Sequence, residues 1–107
     1  MKVRVFVTSR YEWEVRRLLT ERGQAALQRA IAADPEAHPI VPGTGGVREA
    51  RWTQQGKGKS GGVRVIYYYW RTIEEIATEV LDPEVYLFSM YGKNDQSDMT
   101  QKRQQLK

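Results

Sequence analysis

The sequence predicts an α+β fold: a small sheet built around a hairpin, with two helices laid across it after an opening strand. Three observations carry this expectation. Apolar residues alternate with a period of two at 2–7, 47–53, 63–70 and 85–91, as strands with two different faces require. Between them, residues 9–33 are rich in helix formers with apolar side chains at helical spacing. Two of the gaps between these segments, 34–46 and 54–62, hold prolines and a glycine- and lysine-rich run respectively, and both compositions punctuate structure. At 107 residues and 40% hydrophobic content, the chain suits one domain, residues 1–107, with one modest core.

The opening strand covers residues 2 to 7, with Val3, Val5 and Val7 on one side and Lys2, Arg4 and Phe6 on the other. Thr8 or Ser9 then offers a side-chain oxygen to the first unpaired helical N–H groups, and Glu12, three after Ser9, has capping-box spacing. The first helix is expected to bury Tyr11, Trp13, Val15, Leu18 and Leu19 and to turn Glu12, Glu14, Arg16 and Arg17 away. Thr20 breaks it and starts a second helix, which presents Ala26, Leu27, Ala30 and Ile31 to the sheet and ends near Ala33. Asp34-Pro35 stops that helix because a residue before proline is disfavoured in the α region. Pro39 and Pro42 keep the next stretch extended, and His38 reads as an exposed loop histidine without a catalytic role. Val41 to Gly46 reads as a turn entering the next strand; its glycines also fit a phosphate cradle, but it lacks the lysine and the strand-to-helix context of a nucleotide loop.

Val47 to Thr53 and Val63 to Trp70 form the hairpin. In the first strand Arg51 and Trp52 take opposite faces, and in the second Arg64 shares a face with Ile66, Tyr68 and Trp70. The connection Gln54 to Gly62 carries Lys57 and Lys59 among glycines. Between Arg48 and Arg64 stand five cationic side chains and one acid, Glu49, a local excess equal to the formal net charge of +4 for the whole chain. Such a patch attracts polyanions, nucleic acid first among them. Residues Arg71 to Pro83 fit either a short acidic helix or strand extensions around a turn. Val85 to Tyr91 is dense enough in apolar residues for a central strand, with Val85, Leu87, Ser89 and Tyr91 on one face. Ser97 or Asp98 caps a last short helix, Met99 to Leu106.

Composition removes several chemistries. There is no cysteine, hence no disulfide framework, thiol nucleophile or thiolate metal site, and a single histidine makes a zinc centre unexpected. No cofactor or metal is expected. No apolar run has membrane-spanning length and no signal peptide is apparent, so a cytoplasmic protein without membrane association is expected. If the hairpin and the last strand are neighbours, Arg51, Lys57, Lys59, Arg64, Lys93, Asn94 and Tyr91 converge on one side of the sheet. Cleavage of RNA by its own 2′-hydroxyl needs a base, a group that stabilises charge on the phosphate, and an acid for the leaving oxygen. Crowded cations lower a lysine's pKa toward the working range, while binding alone needs only the charges and a stacking ring.

The runs Pro42-Gly-Thr-Gly-Gly-Val-Arg-Glu-Ala-Arg-Trp52, Gly56-Lys-Gly-Lys-Ser-Gly-Gly-Val-Arg-Val-Ile-Tyr-Tyr-Tyr69, Tyr91-Gly-Lys-Asn94 and Asp98-Met-Thr100 resemble the RelE/HigB toxins of bacterial type II toxin–antitoxin systems. The resemblance covers nearly the whole chain. It implies a small antiparallel sheet with a helical hairpin packed on it and a terminal helix. The activity implied is a ribosome-dependent endoribonuclease, an mRNA interferase that cuts message in the decoding site without a metal and so inhibits translation.

By this resemblance Arg64 contacts the scissile phosphate, Lys57 and Lys59 supply a general base or phosphate clamp, and Lys93 is an acid or phosphate contact. With the charge pattern, Arg48, Arg51, Tyr91 and Asn94 are expected as RNA-binding residues. The partners implied are mRNA, the ribosome and a HigA-like antitoxin with a helix-turn-helix domain. The chain departs from better-known RelE members by carrying Asn94 where a second arginine stands, by a polar tail in place of a C-terminal tyrosine, and by a longer segment from Arg71 to Pro83. Two rival readings are a ParE-like inhibitor of DNA gyrase and a nucleic-acid-binding module without chemistry.

Overall fold

The structure, a computed structural model, describes residues 2–53, 62–71 and 82–92. The terminal helix expected at 99–106 and most of the 71–83 segment lie outside the described residues. The element order is β1 (Arg4–Val7), α1 (Ser9–Leu18), α2 (Glu21–Ala33), β2 (Val47–Thr53), β3 (Gly62–Trp70) and β4 (Glu84–Gly92).

The strands form one sheet in the order β1-β4-β3-β2. It is mixed, where the resemblance implies an antiparallel sheet: β2–β3 and β3–β4 are antiparallel, but β1 runs parallel to β4, Val5 beside Val85 and Phe6 beside Tyr86. The reason lies in the connections. Two successive reversals leave β4 running the same way as β2, and the two-helix crossover from β1 to β2 adds no reversal, as parallel partners require. The central position expected for the last strand is observed.

Both helices use threonine caps. Thr8 Oγ1 accepts from the N–H of Tyr11 at 3.0 Å and Thr20 Oγ1 accepts from the N–H of Gly23 at 3.1 Å. The cap of α1 is thus Thr8, which leaves Ser9 as the first helical residue and Glu12 out of capping-box register. Asp34 closes α2 as expected. Together the helices contribute Tyr11, Val15, Leu19, Leu27 and Ile31 to the core, against Ala50, Val63, Val65, Tyr67, Val85, Leu87 and Met90 of the sheet.

Two helical assignments need correction. Trp13 is 67% exposed and lies beside the Arg17 guanidinium, 5.4 Å from its ring centroid. Its expected place in the interior is taken by Glu14, which is buried. Ala30 is likewise exposed, so Leu27 and Ile31 carry the contact of α2.

Residues 35–46 strap the outer edge of β2. The N–H of Glu49 donates to the Pro39 carbonyl at 3.1 Å and the N–H of Val41 to the Val47 carbonyl at 2.7 Å. Tyr67, buried in the sheet, sends its hydroxyl to the Pro35 carbonyl at 2.6 Å. Val41 to Gly46 is a turn, closed by Thr44 Oγ1, which accepts from the N–H of Val47 and donates to the Val41 carbonyl. Gly46 sits at φ 119°, and a Cβ there would meet the Tyr68 ring at 3.3 Å, so both conformation and space call for glycine. His38 is half-buried, with its ring edge-on to Tyr67.

Candidate functional site

The face of the sheet opposite the helices gathers polar side chains from three adjacent strands. Arg51 of β2 pairs with Arg64 of β3, and Arg64 pairs with Tyr91 of β4, so the three lie in one row across the sheet. Two residues along β2 from Arg51, and on the same face, stands Glu49. Its Oε1 lies 3.4 Å from Arg64 Nε and accepts the Tyr91 hydroxyl at 3.1 Å. One carboxylate thus holds a guanidinium and a phenol from two different strands.

Tyr91 reaches this face because β4 changes phase. Ile66 pairs with Ser89, but the next residue, Tyr67, pairs with Leu87, leaving Phe88 as the extra residue of a bulge. Val85 and Leu87 point into the core before the bulge and Met90 after it. Ser89 and Tyr91 are therefore turned to the face of Arg64. The uniform alternation expected from sequence, with Ser89 and Tyr91 beside Val85 and Leu87, is interrupted at Phe88.

The electrostatics of the row are uneven. Like charges directly opposite each other across strands are unfavourable, and Arg51–Arg64 is such a pair. Glu49 offsets one positive charge. Arg51 remains an exposed cation beside a guanidinium whose side chain is only 13% exposed. A partly buried arginine in a medium of lowered dielectric exerts a stronger pull on an anion than one in bulk water.

Among the expected site residues, Arg64, Arg51 and Tyr91 are brought together. Arg48 is not: it pairs with Tyr67 on the helix-side face, and its Nη1 donates to the carbonyls of Glu36 (3.2 Å) and His38 (2.7 Å). Its role in the described structure is to hold the strap along β2. Lys57, Lys59, Lys93 and Asn94 lie outside the described residues. Charge counting does not single out Glu49, because an acid only reduces the patch; its place two residues before Arg51, on the same strand face, is the signal that does. Among the described residues, no group of three or more His, Asp or Glu side chains is placed to hold a metal ion, and no helix is long and apolar enough to cross a membrane.

A cluster of two arginines, one phenol and one carboxylate is suited to a phosphodiester. The guanidiniums match its non-bridging oxygens, the carboxylate can take a proton, and the phenol can stack on a base or donate one. No family model matches the chain.

Proposed function

We propose that this protein is a RelE/HigB-like toxin, a metal-independent endoribonuclease that cuts messenger RNA in the ribosomal A site and is neutralised by a HigA-like antitoxin. The observation that carries the reading is the juxtaposition of Arg51, Arg64, Tyr91 and Glu49 on one face of the sheet, next to the ends of the segment that bears Lys57 and Lys59.

In this reaction the 2′-oxygen loses its proton and attacks the adjacent phosphorus. The bond from phosphorus to the 5′-oxygen breaks, leaving a 2′,3′-cyclic phosphate and a 5′-hydroxyl that takes up a proton. Arg64, anchored in β3, stabilises the charge that builds on the phosphate oxygens, and Arg51 adds to it from β2. Glu49 is the carboxylate of the cluster and serves as proton acceptor, with its orientation set by Arg64 and Tyr91. Lys57 and Lys59 are assigned to clamp the backbone and Lys93, two residues after Tyr91 in the sequence, to serve the leaving oxygen.

The test is a translation extract supplied with the protein. Stalled ribosomes carrying messages newly cut within the A-site codon are expected. Arg64→Ala, folded as judged by circular dichroism, is expected to lower cutting by at least a hundredfold. Intact messages together with trapped gyrase cleavage complexes would replace this reading with gyrase inhibition. Tight RNA binding without any cutting would reduce it to a binding module.

A further inference from the structure

The bulge that turns Tyr91 toward Arg64 is held from the side by helix α1. Strand β1 ends at Val7, while its neighbour β4 continues to Gly92, so the β1-side edge of β4 extends beyond its strand partner. The start of α1 takes over there. The N–H of Thr8 donates to the Leu87 carbonyl at 3.1 Å and Thr8 Oγ1 donates to the Phe88 carbonyl at 2.6 Å. Six residues further along, Glu14 Oε1 accepts the N–H of Met90 at 3.2 Å. Three backbone groups that bracket Phe88 are thereby tied to one helix.

Glu14 is the unexpected member of this set. A buried carboxylate is costly unless its oxygens are hydrogen-bonded, and at this stripe position an apolar residue would pack with Tyr11 and Val15 at no such cost. Its Oε1 also receives Arg10 Nε at 3.3 Å, one turn earlier on the helix, which sets the carboxylate's orientation. The main-chain donor it holds belongs to Met90, the residue directly before Tyr91. A regular ladder without the bulge would shift the phase of β4 by one residue and send Tyr91 to the helix side.

We infer that Glu14 is a positioning residue for the Glu49–Arg64–Tyr91 cluster: by holding the Met90 N–H it keeps the Phe88 bulge in register and so aims the Tyr91 hydroxyl at Glu49. The catalytic consequence rests on the ribonuclease reading, whereas the positioning itself does not. Glu14 touches none of the reacting groups and acts through the backbone of β4.

The experiment follows the Tyr91 ring by NMR in protein labelled with ¹³C at the tyrosine ζ carbons, Tyr91 being assigned by Tyr91→Phe. In Glu14→Ala, well below its unfolding midpoint, the Tyr91 signal is expected to move to the position it takes in Glu49→Ala. The Tyr11 and Tyr67 signals of the core stay in place. Glu14→Gln, which keeps an acceptor oxygen, is expected to restore the original signal. In the translation extract Glu14→Ala should lower kcat about a hundredfold with KM little changed, and Glu14→Gln should recover it.

Should Glu14→Ala fail to fold, Glu14→Asp, shorter by one methylene, is read in the same way. A folded Glu14→Ala or Glu14→Asp protein whose Tyr91 signal stays at the wild-type position overturns the inference. If the wild-type protein cuts no message, the Tyr91 signal still decides the positioning role, and only the ribonuclease reading falls.

Discussion

Arg51 and Arg64 stand directly opposite each other across β2 and β3, two positive charges on one face of the sheet. Only Arg64 has Glu49 against its guanidinium, at 3.4 Å. Such a pair disfavours the folded state unless an anion joins it, so stability and anion binding should respond in opposite directions. Arg51→Thr, which keeps a good strand former, is expected to raise stability by about 0.5 kcal/mol in urea unfolding. The same change should weaken binding of single-stranded RNA and reduce the salt dependence of log Kd by about one phosphate contact. A loss of stability in Arg51→Thr would show that the pair is not strained.

The Tyr91–Glu49 hydrogen bond reaches across β3 and links the site's carboxylate on β2 to β4. Tyr91→Phe and Glu49→Gln should not have equal effects. Tyr91→Phe removes the hydrogen bond to Glu49, a cost of about 1 kcal/mol. Glu49→Gln also withdraws the counter-charge from Arg64 and leaves the arginine pair uncompensated, so it is expected to cost more. A double-mutant cycle on unfolding free energies measures the coupling, expected at about 1 kcal/mol; a coupling of zero would mean that the bond is absent in solution.

The two helix caps offer a comparison within one molecule. Thr20→Ala removes a single cap bond, that to Gly23, and is expected to cost about 1 kcal/mol. Thr8→Ala removes the cap bond to Tyr11 and also leaves the Phe88 carbonyl without its hydroxyl donor, so about 2 kcal/mol is expected. Thermal unfolding of the two variants should place Thr8→Ala several degrees below Thr20→Ala.

Alkaline pH tests the two core tyrosines. Burial pushes the Tyr11 and Tyr67 hydroxyls from 10.0 up to about 12; for Tyr67 the Arg48 guanidinium works against this rise and Asp34 with it. The unfolded chain therefore releases these protons at lower pH than the folded protein. Their contribution to stability is complete below pH 10 and is lost as pH rises from 10 through 12. Urea midpoints should fall across that window, and the double variant Tyr11→Phe, Tyr67→Phe should flatten the decline.

The helix ends and the β2–β3 hairpin were legible because their signals are local. Thr20 and Asp34-Pro35 act within one turn, and alternation along Val63 to Trp70 needs no knowledge of neighbours. Trp13 and Glu14 depart from the sequence expectation for a different reason. The strict i, i+3, i+4 series from Tyr11 passes through 14, 15, 18 and 19, so geometry placed position 14 inside and 13 outside, but side-chain polarity outweighed it. What makes Glu14 acceptable in the interior is the Met90 N–H, a donor that exists only because β4 runs past the end of β1. The phase change at Phe88 was hidden for the same reason, since nothing in Leu87-Phe88-Ser89 announces a bulge. Glu49 became a site residue only when β3 and β4 lay side by side and brought Arg64 and Tyr91 to it.

The order β1-β4-β3-β2 also sets the order of events when the chain is made. Strand β1 has β4 as its partner, and their register joins residues 80 apart, Arg4 with Glu84 and Val7 with Leu87. A nascent chain that has produced only β1 to β3 can close the local hairpin, but its first strand waits unpaired and its arginine row lacks Tyr91. Such distant pairings are slow to form, because loop closure precedes the contacts that reward it. The pairing of β4 with β3 is therefore the step that brings Tyr91 to Arg64 and Glu49, and a growing polypeptide lacks that cluster until β4 has emerged.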